Sequence, residues 1–146
     1  MKSQAQQTPL MAQYYKVKQA HPDTILLFRV GDFFETFEDD AKLTSKVLGI
    51  TLTKRSNGSS GDTPLAGFPH HAIDTYLPKL VRAGYRVAVC EQMENPKFAK
   101  GIVKREVVEV VTPGVTLSDK LLDHKKNNYL LAISILDQIC GLSFCD

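Results

Sequence analysis

The chain has 146 residues, a length that suits one domain with at most part of a second. Hydrophobic residues make up 43% of it and charged residues 23%, close to the globular average, which excludes disordered, collagen-like and coiled-coil proteins. The 18 basic and 16 acidic residues leave a net charge of +2, too small to attract a partner by overall charge. Any contact with nucleic acid is therefore expected to depend on local geometry.

The first third of the chain is predicted to contain a helix and a hairpin. Thr8 precedes a proline and apolar residues at helical spacing, which predicts a helix over 8–20. The apolar run over 25–30 is typical of a buried strand. Gly31 stands at the first central position of a two-residue loop, which predicts a type II′ turn into a return strand over 33–37.

Further elements follow, and together they predict an α/β (α+β) fold with a mixed β-sheet flanked by about three helices. They are a helix over 39–48, a short strand over 50–53, a helix over 70–83 and strands over 85–91 and 103–112. Residues 55–62 are rich in Gly, Ser and Asn, which predicts a mobile loop. Residues 64–69 are expected to lead into the third helix.

Residues 1–113 are predicted to form one complete domain, and residues 114–127 a linker. Apolar residues on both sides of Asp137 and Gln138 predict a β-hairpin within 128–146. Nothing in this last segment completes a core. We therefore expect it to be the first hairpin of a second, truncated domain, and the chain to be a piece of a longer protein.

Metal binding and membrane insertion are not expected. Cys90, Cys140 and Cys145 form no C-x-x-C pair, and the histidines are dispersed except for His70 and His71. The odd number of cysteines favours a reducing, intracellular compartment. No apolar run approaches the roughly 20 residues of a membrane span. The protein is therefore expected to be cytoplasmic.

Catalysis by this chain is not expected either. The P-loop, the G-x-S-x-G elbow, H-E-x-x-H and G-x-G-x-x-G are all missing from the sequence. Two acidic pairs, Asp39 with Asp40 and Glu35 with Glu38, come without a nucleophile or an arranged base. The favourable position of acids at a helix N-terminus explains them better. We expect no catalytic residues.

The return strand of the hairpin is the most informative stretch. Residues i and i+2 of a strand share a face, so Phe33 and Glu35 project together beside the turn. In one interpretation Phe33 and Phe37 pack into the core while Phe34 and Thr36 face water, or the reverse. In the other, Phe33 leaves the core and offers its ring to a nucleic-acid base.

Four sequence blocks occur in order: TPLMAQYYKVKQAHPDTILLFRVGDFFETFEDDAKLTSKVLGITLTKR, PLAGFPHHAIDTYLPKLV, VAVCEQ and VVTPGV. In order and spacing they resemble the N-terminal mismatch-recognition domain, domain I, of the bacterial MutS family of DNA mismatch-repair proteins. The family's F-x-E motif is present as Phe33, Phe34 and Glu35. The middle residue is often tyrosine in the family, and Phe34 keeps the ring without the hydroxyl.

The resemblance implies that Phe33 stacks on a mispaired base in the minor groove and that Glu35 accepts a hydrogen bond from that base. Further residues are candidates for contacts with the DNA backbone or groove, because Lys and Arg commonly contact phosphates and because these residues follow strand ends in the matching blocks. The candidates are Asp32, Lys54, Arg55, Pro64, Leu65 and His70.

The resemblance also implies the partners. The chain would bind double-stranded DNA with mispairs or small loops, without a cofactor of its own. ATP and Mg would belong to an ATPase domain of the longer parent protein, and the hairpin after the linker would begin its connector domain. The parent would be a homodimer in which one subunit inserts Phe33, would recruit a MutL-type partner and would act in the bacterial cytoplasm at the nucleoid.

A physical argument supports the wedge. An apolar side chain in the minor groove unstacks a base step at a cost of a few kcal/mol, and a mispair lowers that cost. Discrimination would then come from the deformability of the DNA. The alternative is a protein-interaction or general DNA-positioning domain without mismatch sensing, and a buried Phe33 ring would favour it.

Overall fold

A computed structural model describes residues 7–99, 101–113, 130–136 and 139–145. The helices are α1 (Pro9–Ala20), α2 (Glu38–Leu48) and α3 (Ile73–Arg82), with 3₁₀ turns at Gly58–Ser60 and His70–Ala72. The strands are β1 (Ile25–Val30), β2 (Phe33–Phe37), β3 (Thr53–Ser56), β4 (Asp62–Pro69), β5 (Val87–Gln92), β6 (Arg105–Val111), β7 (Leu130–Leu136) and β8 (Ile139–Cys145).

Six of the strands form one mixed sheet in the order β3-β4-β2-β1-β5-β6. β1 and β5 run parallel, and the other neighbouring strands run antiparallel. β2 lies inside the sheet, whereas β3 and β6 are its edges. The predicted fold, a mixed sheet with three helices and a separate hairpin, is confirmed.

Helices cover both faces of the sheet, which explains why its central strands are apolar at consecutive positions. On one face, α2 and α3 pack against alternate residues that include Ile25, Leu27 and Phe34. On the other face, α1 packs against Leu26 and Phe28. The continuous apolar run of β1 therefore serves two hydrophobic clusters.

Asp40 joins α1, α2 and β1 in a buried polar cluster. Its carboxylate lies 2.8 Å from Lys18 Nζ and accepts a hydrogen bond from Leu26 N at 3.0 Å. The Tyr14 hydroxyl donates to it at 3.5 Å, and burial together with this carboxylate raises the pKa of Tyr14 well above its ordinary value. This acidic residue at the start of α2 therefore has a structural role.

The segment predicted as a mobile loop over 55–62 contains regular structure and connects two strands. It comprises the end of β3, a 3₁₀ turn and the start of β4. Asn57 is buried, its N–H donates to the Gly61 carbonyl at 2.9 Å, and its Oδ1 accepts from Thr8 N at 3.0 Å. The prediction of a loop was wrong because the Gly and Asn residues form a tight turn that is hydrogen-bonded to the start of α1, and the mobility of the segment stays a prediction.

The sequence did not predict β4, although this strand separates β3 from β2. Pro64, Gly67 and Pro69 are residues that disfavour a strand. The pairing of β4 with β2 begins at Leu65, so Pro64 lies beyond it, and Pro69 is the last residue of the strand. Both prolines thus stand at or beyond the ends of the central pairing, where the ladder tolerates them.

Smaller differences concern boundaries. The strand predicted over 50–53 begins only at Thr53, and the helix predicted over 70–83 starts as a 3₁₀ turn before α3. The hairpin predicted around Asp137 and Gln138 is confirmed, with β7 and β8 paired antiparallel from Leu130 opposite Cys145. The predicted linker over 114–127 lies outside the described residues, and the division into domains stays a prediction.

Candidate functional site

A two-residue turn between β1 and β2 presents the residues of greatest interest. Val30 pairs with Phe33, so Gly31 and Asp32 alone form the loop. Gly31 has φ +57° and Asp32 does not share the positive φ, which is the pattern of the predicted type II′ turn. Asp32 is exposed at the tip, and Phe33 follows at the first position of β2.

Hydrogen bonds from the ends of the two strands that flank the hairpin, β4 and β5, hold the turn. The Asp32 carbonyl accepts a hydrogen bond from His70 N at 2.8 Å, and His70 Nδ1 lies 3.1 Å from the same oxygen. The Gln92 amide oxygen, in the orientation that satisfies its neighbours, accepts from Gly31 N at 3.2 Å. These hydrogen bonds constrain the tip, and such preorganisation lowers the entropy cost of binding a ligand.

Phe33 and Phe34 lie on opposite faces of the sheet. The Phe33 side chain is 46% exposed, whereas Phe34 is 1% exposed and packs its ring 6.1 Å from that of Phe68. Phe37 is buried as well, because α1 covers the far end of the face that carries Phe33. The interpretation in which Phe33 and Phe37 join the core while Phe34 and Thr36 face water is wrong. Of its reverse, the burial of Phe34 and Thr36 is confirmed, but Phe37 does not face water.

Glu35 lies on the same face as Phe33, directly opposite Gly67 of β4. Its side chain is 15% exposed, and its Oε2 accepts a hydrogen bond from Arg55 Nη1 at 2.5 Å. Burial raises the pKa of the Glu35 carboxyl, and the Arg55 guanidinium opposes that rise. The site thus holds a largely desolvated carboxylate beside an exposed aromatic ring.

An open concavity of about 540 Å³ adjoins this pair. Its walls come from the face of β2, from β4 and from the chain between α2 and β3. The lining residues are Phe33, Glu35, Gly49, Ile50, Thr51, Thr53, Leu65 and Gly67. A flat ring could enter here and meet both the Phe33 ring and the Glu35 carboxylate.

The structure brings some of the predicted contact residues together and separates others. Arg55 and Leu65 share the face of Glu35, and Asp32 and His70 flank Phe33 at the tip. Lys54 pairs with Pro64, and strand alternation places both on the opposite face of the sheet. Contacts of these six residues with DNA stay a prediction.

Three residues near the site carried no clear signal in the sequence. Gly67 is one, and Gln92 is another. The third, Arg105, is buried; its Nε donates to the Arg29 carbonyl at 2.5 Å and its Nη2 donates to Gln92 at 3.2 Å. Arg105 thus supports the residue that holds the hairpin tip. Of these three residues, only Gly67 gave a cue in the sequence, because a glycine inside a strand often marks a close approach of another backbone.

Comparison with known proteins decides the family. Residues 8–120 match the family model described as MutS domain I. The chain belongs to this family. The match spans the hairpin tip, Glu35 and Arg55, so the MutS resemblance seen in the sequence is confirmed.

The curated relatives agree with the family match. The DNA mismatch repair protein MutS of Porphyromonas gingivalis is 60% identical over 140 residues, which is 96% of this chain and 16% of the relative. The proteins of the same name from Parabacteroides distasonis and Flavobacterium psychrophilum are 56% and 61% identical over 140 residues. The chain thus spans about a sixth of the length of these MutS relatives.

Three further observations concern the described residues of this MutS domain. No helix among them is long and apolar enough to cross a membrane. No group of three His, Cys, Asp or Glu side chains in that part of the chain is arranged to hold a metal ion. Burial raises the pKa of the Cys90 thiol to about 12, so it stays protonated at neutral pH.

Proposed function

We propose that this chain binds double-stranded DNA at mispairs and small loops, with Phe33 as a wedge and Glu35 as a hydrogen-bond acceptor, within a MutS-type mismatch-repair sensor. The observation that carries the proposal is the exposed Phe33 ring on a hydrogen-bonded tip beside the shielded Glu35 carboxylate. The family and the names of the relatives support DNA repair as the setting.

Phe33 would act by stacking. An aromatic ring returns about 1 to 3 kcal/mol per stacked base whatever the identity of the base, which suits a sensor of many different mispairs. Opening a base step costs a few kcal/mol in paired DNA and less at a mispair. The wedge therefore inserts where the duplex is weakest.

Glu35 would add discrimination. A carboxylate in the groove loses hydration and is repelled by phosphates unless a base donates a hydrogen bond to it. A mispaired base has a ring N–H or amino group that is free to donate a hydrogen bond, whereas in a matched pair these groups already donate to the partner base. The same residue thus stabilises the right target and penalises the wrong one.

The remaining assignments concern the longer parent protein. We propose that ATP and Mg are bound by an ATPase domain outside this chain, that the parent is a homodimer and that it recruits a MutL-type partner. The parent would act in the bacterial cytoplasm at the nucleoid. This chain itself would bind DNA without a cofactor and without catalysis.

The test is an amide chemical-shift titration of the ¹⁵N-labelled chain with a duplex that carries one G·T mispair, against the matched duplex. The expected shifts centre on the hairpin tip, are larger for the mispair and disappear in Phe33→Ala. Phe98→Ala is the matched control, because Phe98 is 81% exposed outside the site.

The alternative is a protein-interaction or general DNA-positioning domain. It predicts equal shifts for the two duplexes, spread over basic residues, or no shifts at all. Insertion of the chain in place of the matching segment of the Porphyromonas gingivalis relative extends the test to an intact protein. A preserved mismatch preference in Phe33→Ala of that chimera would exclude the proposed wedge.

A further inference from the structure

We propose that Arg55 is a specificity-determining residue: it holds the Glu35 carboxylate in an ion pair that a mispaired base must displace, and the released guanidinium then binds a DNA phosphate. This inference rests on the proposed function, because the exchange requires DNA at the Phe33 wedge. It assigns to Arg55 two successive partners rather than a fixed contact.

The geometry of the pair favours an exchange. Arg55 Nη1 reaches from the edge strand β3 across β4 to Glu35 Oε2, 2.5 Å away on β2. On the intervening strand Glu35 lies opposite Gly67 and Arg55 lies opposite Thr63, so the ion pair is diagonal and no side chain at Gly67 covers the carboxylate. The Arg55 side chain is 37% exposed and that of Glu35 15%. Arg55 is thus the partner that can swing into solvent.

The electrostatics favour replacement of the pair over simple breakage. A shielded carboxylate that loses its cation without compensation is strongly destabilised. A mispaired base supplies a donor in place of Arg55, and a nearby phosphate supplies an anion for the guanidinium. A matched duplex offers no free donor at the wedge, so the ion pair stays closed and Arg55 makes no phosphate contact.

The exchange predicts a difference in salt dependence between the two duplexes. Each phosphate contact contributes about −0.9 to the slope of log K, the logarithm of the association constant, against the logarithm of salt concentration. Binding of the mispaired duplex should therefore be steeper by about 0.9 than binding of the matched duplex. The mismatch preference should fall roughly 3.5-fold between 50 and 200 mM salt, which follows from that slope.

Variants isolate Arg55. Arg55→Gln should abolish the slope difference and reduce the mismatch preference several-fold. Lys46→Gln is the matched control, because it removes the same charge from an exposed residue of α2 that is not among the predicted DNA contacts. It should leave the slope difference intact. In a Glu35→Gln background, Arg55→Gln should change the affinity for both duplexes equally, since the pair no longer exists.

The measurements are dissociation constants over a salt series, made on the chain and on the chimera with the Porphyromonas gingivalis relative. Thermal unfolding of every variant establishes that it is folded, and Arg55→Lys keeps the charge if Arg55→Gln fails to fold. Arg55→Lys should retain part of the slope difference. If Phe33→Ala loses the preference while Arg55→Gln keeps both preference and slope difference, the exchange is refuted and the wedge stands. If Phe33→Ala keeps the preference, the proposed function is refuted, and the exchange that rests on it is refuted as well.

Discussion

Glu35 occupies space that a side chain at Gly67 would need. A Cβ atom at Gly67 would lie 3.4 Å from Glu35 Cγ and 2.8 Å from the Phe34 carbonyl oxygen. Gly67 has no positive φ, so the requirement for glycine here is steric and not conformational. The missing side chain on β4 lets Glu35 lie against the sheet and reach Arg55.

The first prediction follows from this contact. Gly67→Ala should destabilise the fold by about 1 to 3 kcal/mol through overpacking and should lower mismatch preference by displacing Glu35. Gly141→Ala is the control, because a Cβ there would meet nothing closer than 3.8 Å. Urea unfolding and duplex binding measure the two effects. Equal stability of both variants would show that β4 can shift to accommodate the added Cβ atom without a loss of stability.

Truncation of the two adjacent phenylalanines of β2 should have different effects on stability and on mismatch preference. Phe34→Ala removes a buried ring and should lower the free energy of unfolding by about 3 to 5 kcal/mol. Phe33→Ala removes a half-exposed ring and should lower it by less than about 1 kcal/mol while abolishing mismatch preference. Denaturant unfolding of the two variants compares them directly, and a larger loss at Phe33 would contradict the assignment of faces.

Features set by local sequence were predicted well. The start of α1 at Thr8 and the turn at Gly31 depend on a few neighbouring residues, and both match the structure. The F-x-E resemblance singled out Phe33 and Glu35. Contiguous residues carry enough information for such elements, because capping and turn geometry are decided within one turn of chain.

Features set by pairing between distant strands were not predicted. β4 contains prolines and a glycine, and only its position between β2 and β3 makes it a strand. The Glu35 to Arg55 ion pair joins residues 20 positions apart across that strand. The support of the tip by Gln92 and Arg105 depends on β5 and β6. The pattern of a single sequence does not show which residues of distant strands pair, so these contacts could be identified only from the structure.

Asn57 should prove important for stability although it lies in a polar turn. Its buried Oδ1 accepts hydrogen bonds from Thr8 N at 3.0 Å and Thr8 Oγ1 at 3.3 Å. Asn57→Ala leaves these donors unpaired and should cost about 1 to 3 kcal/mol. Asn95→Ala is the control, because Asn95 accepts from Lys97 N at an exposed site. Thermal unfolding should separate the two variants, and similar melting temperatures would contradict the anchoring role.

Glu35→Gln should change DNA discrimination more than overall affinity. The amide keeps the shape of the side chain but removes the negative charge, for which matched DNA supplies no hydrogen-bond donor. We expect tighter binding to the matched duplex and a smaller preference for the mispaired one, measured by fluorescence anisotropy at fixed salt. An unchanged preference would refute the role of the Glu35 charge in discrimination.

The raised pKa of Glu35 predicts the pH dependence of stability. Its ordinary value is 4.5, and burial raises it in the folded state, so the folded chain holds this proton more tightly than the unfolded chain. The free energy of unfolding should therefore fall as pH rises from about 4.5 through the folded pKa, because the unfolded state binds fewer protons over that interval. Glu35→Gln removes this contribution, so the stability of the variant relative to the parent should increase across the interval. Denaturant unfolding at a series of pH values gives the difference, in which the titrations of other carboxyl groups cancel. A difference that stays flat, or that decreases with pH, would show that the ion pair with Arg55 outweighs burial.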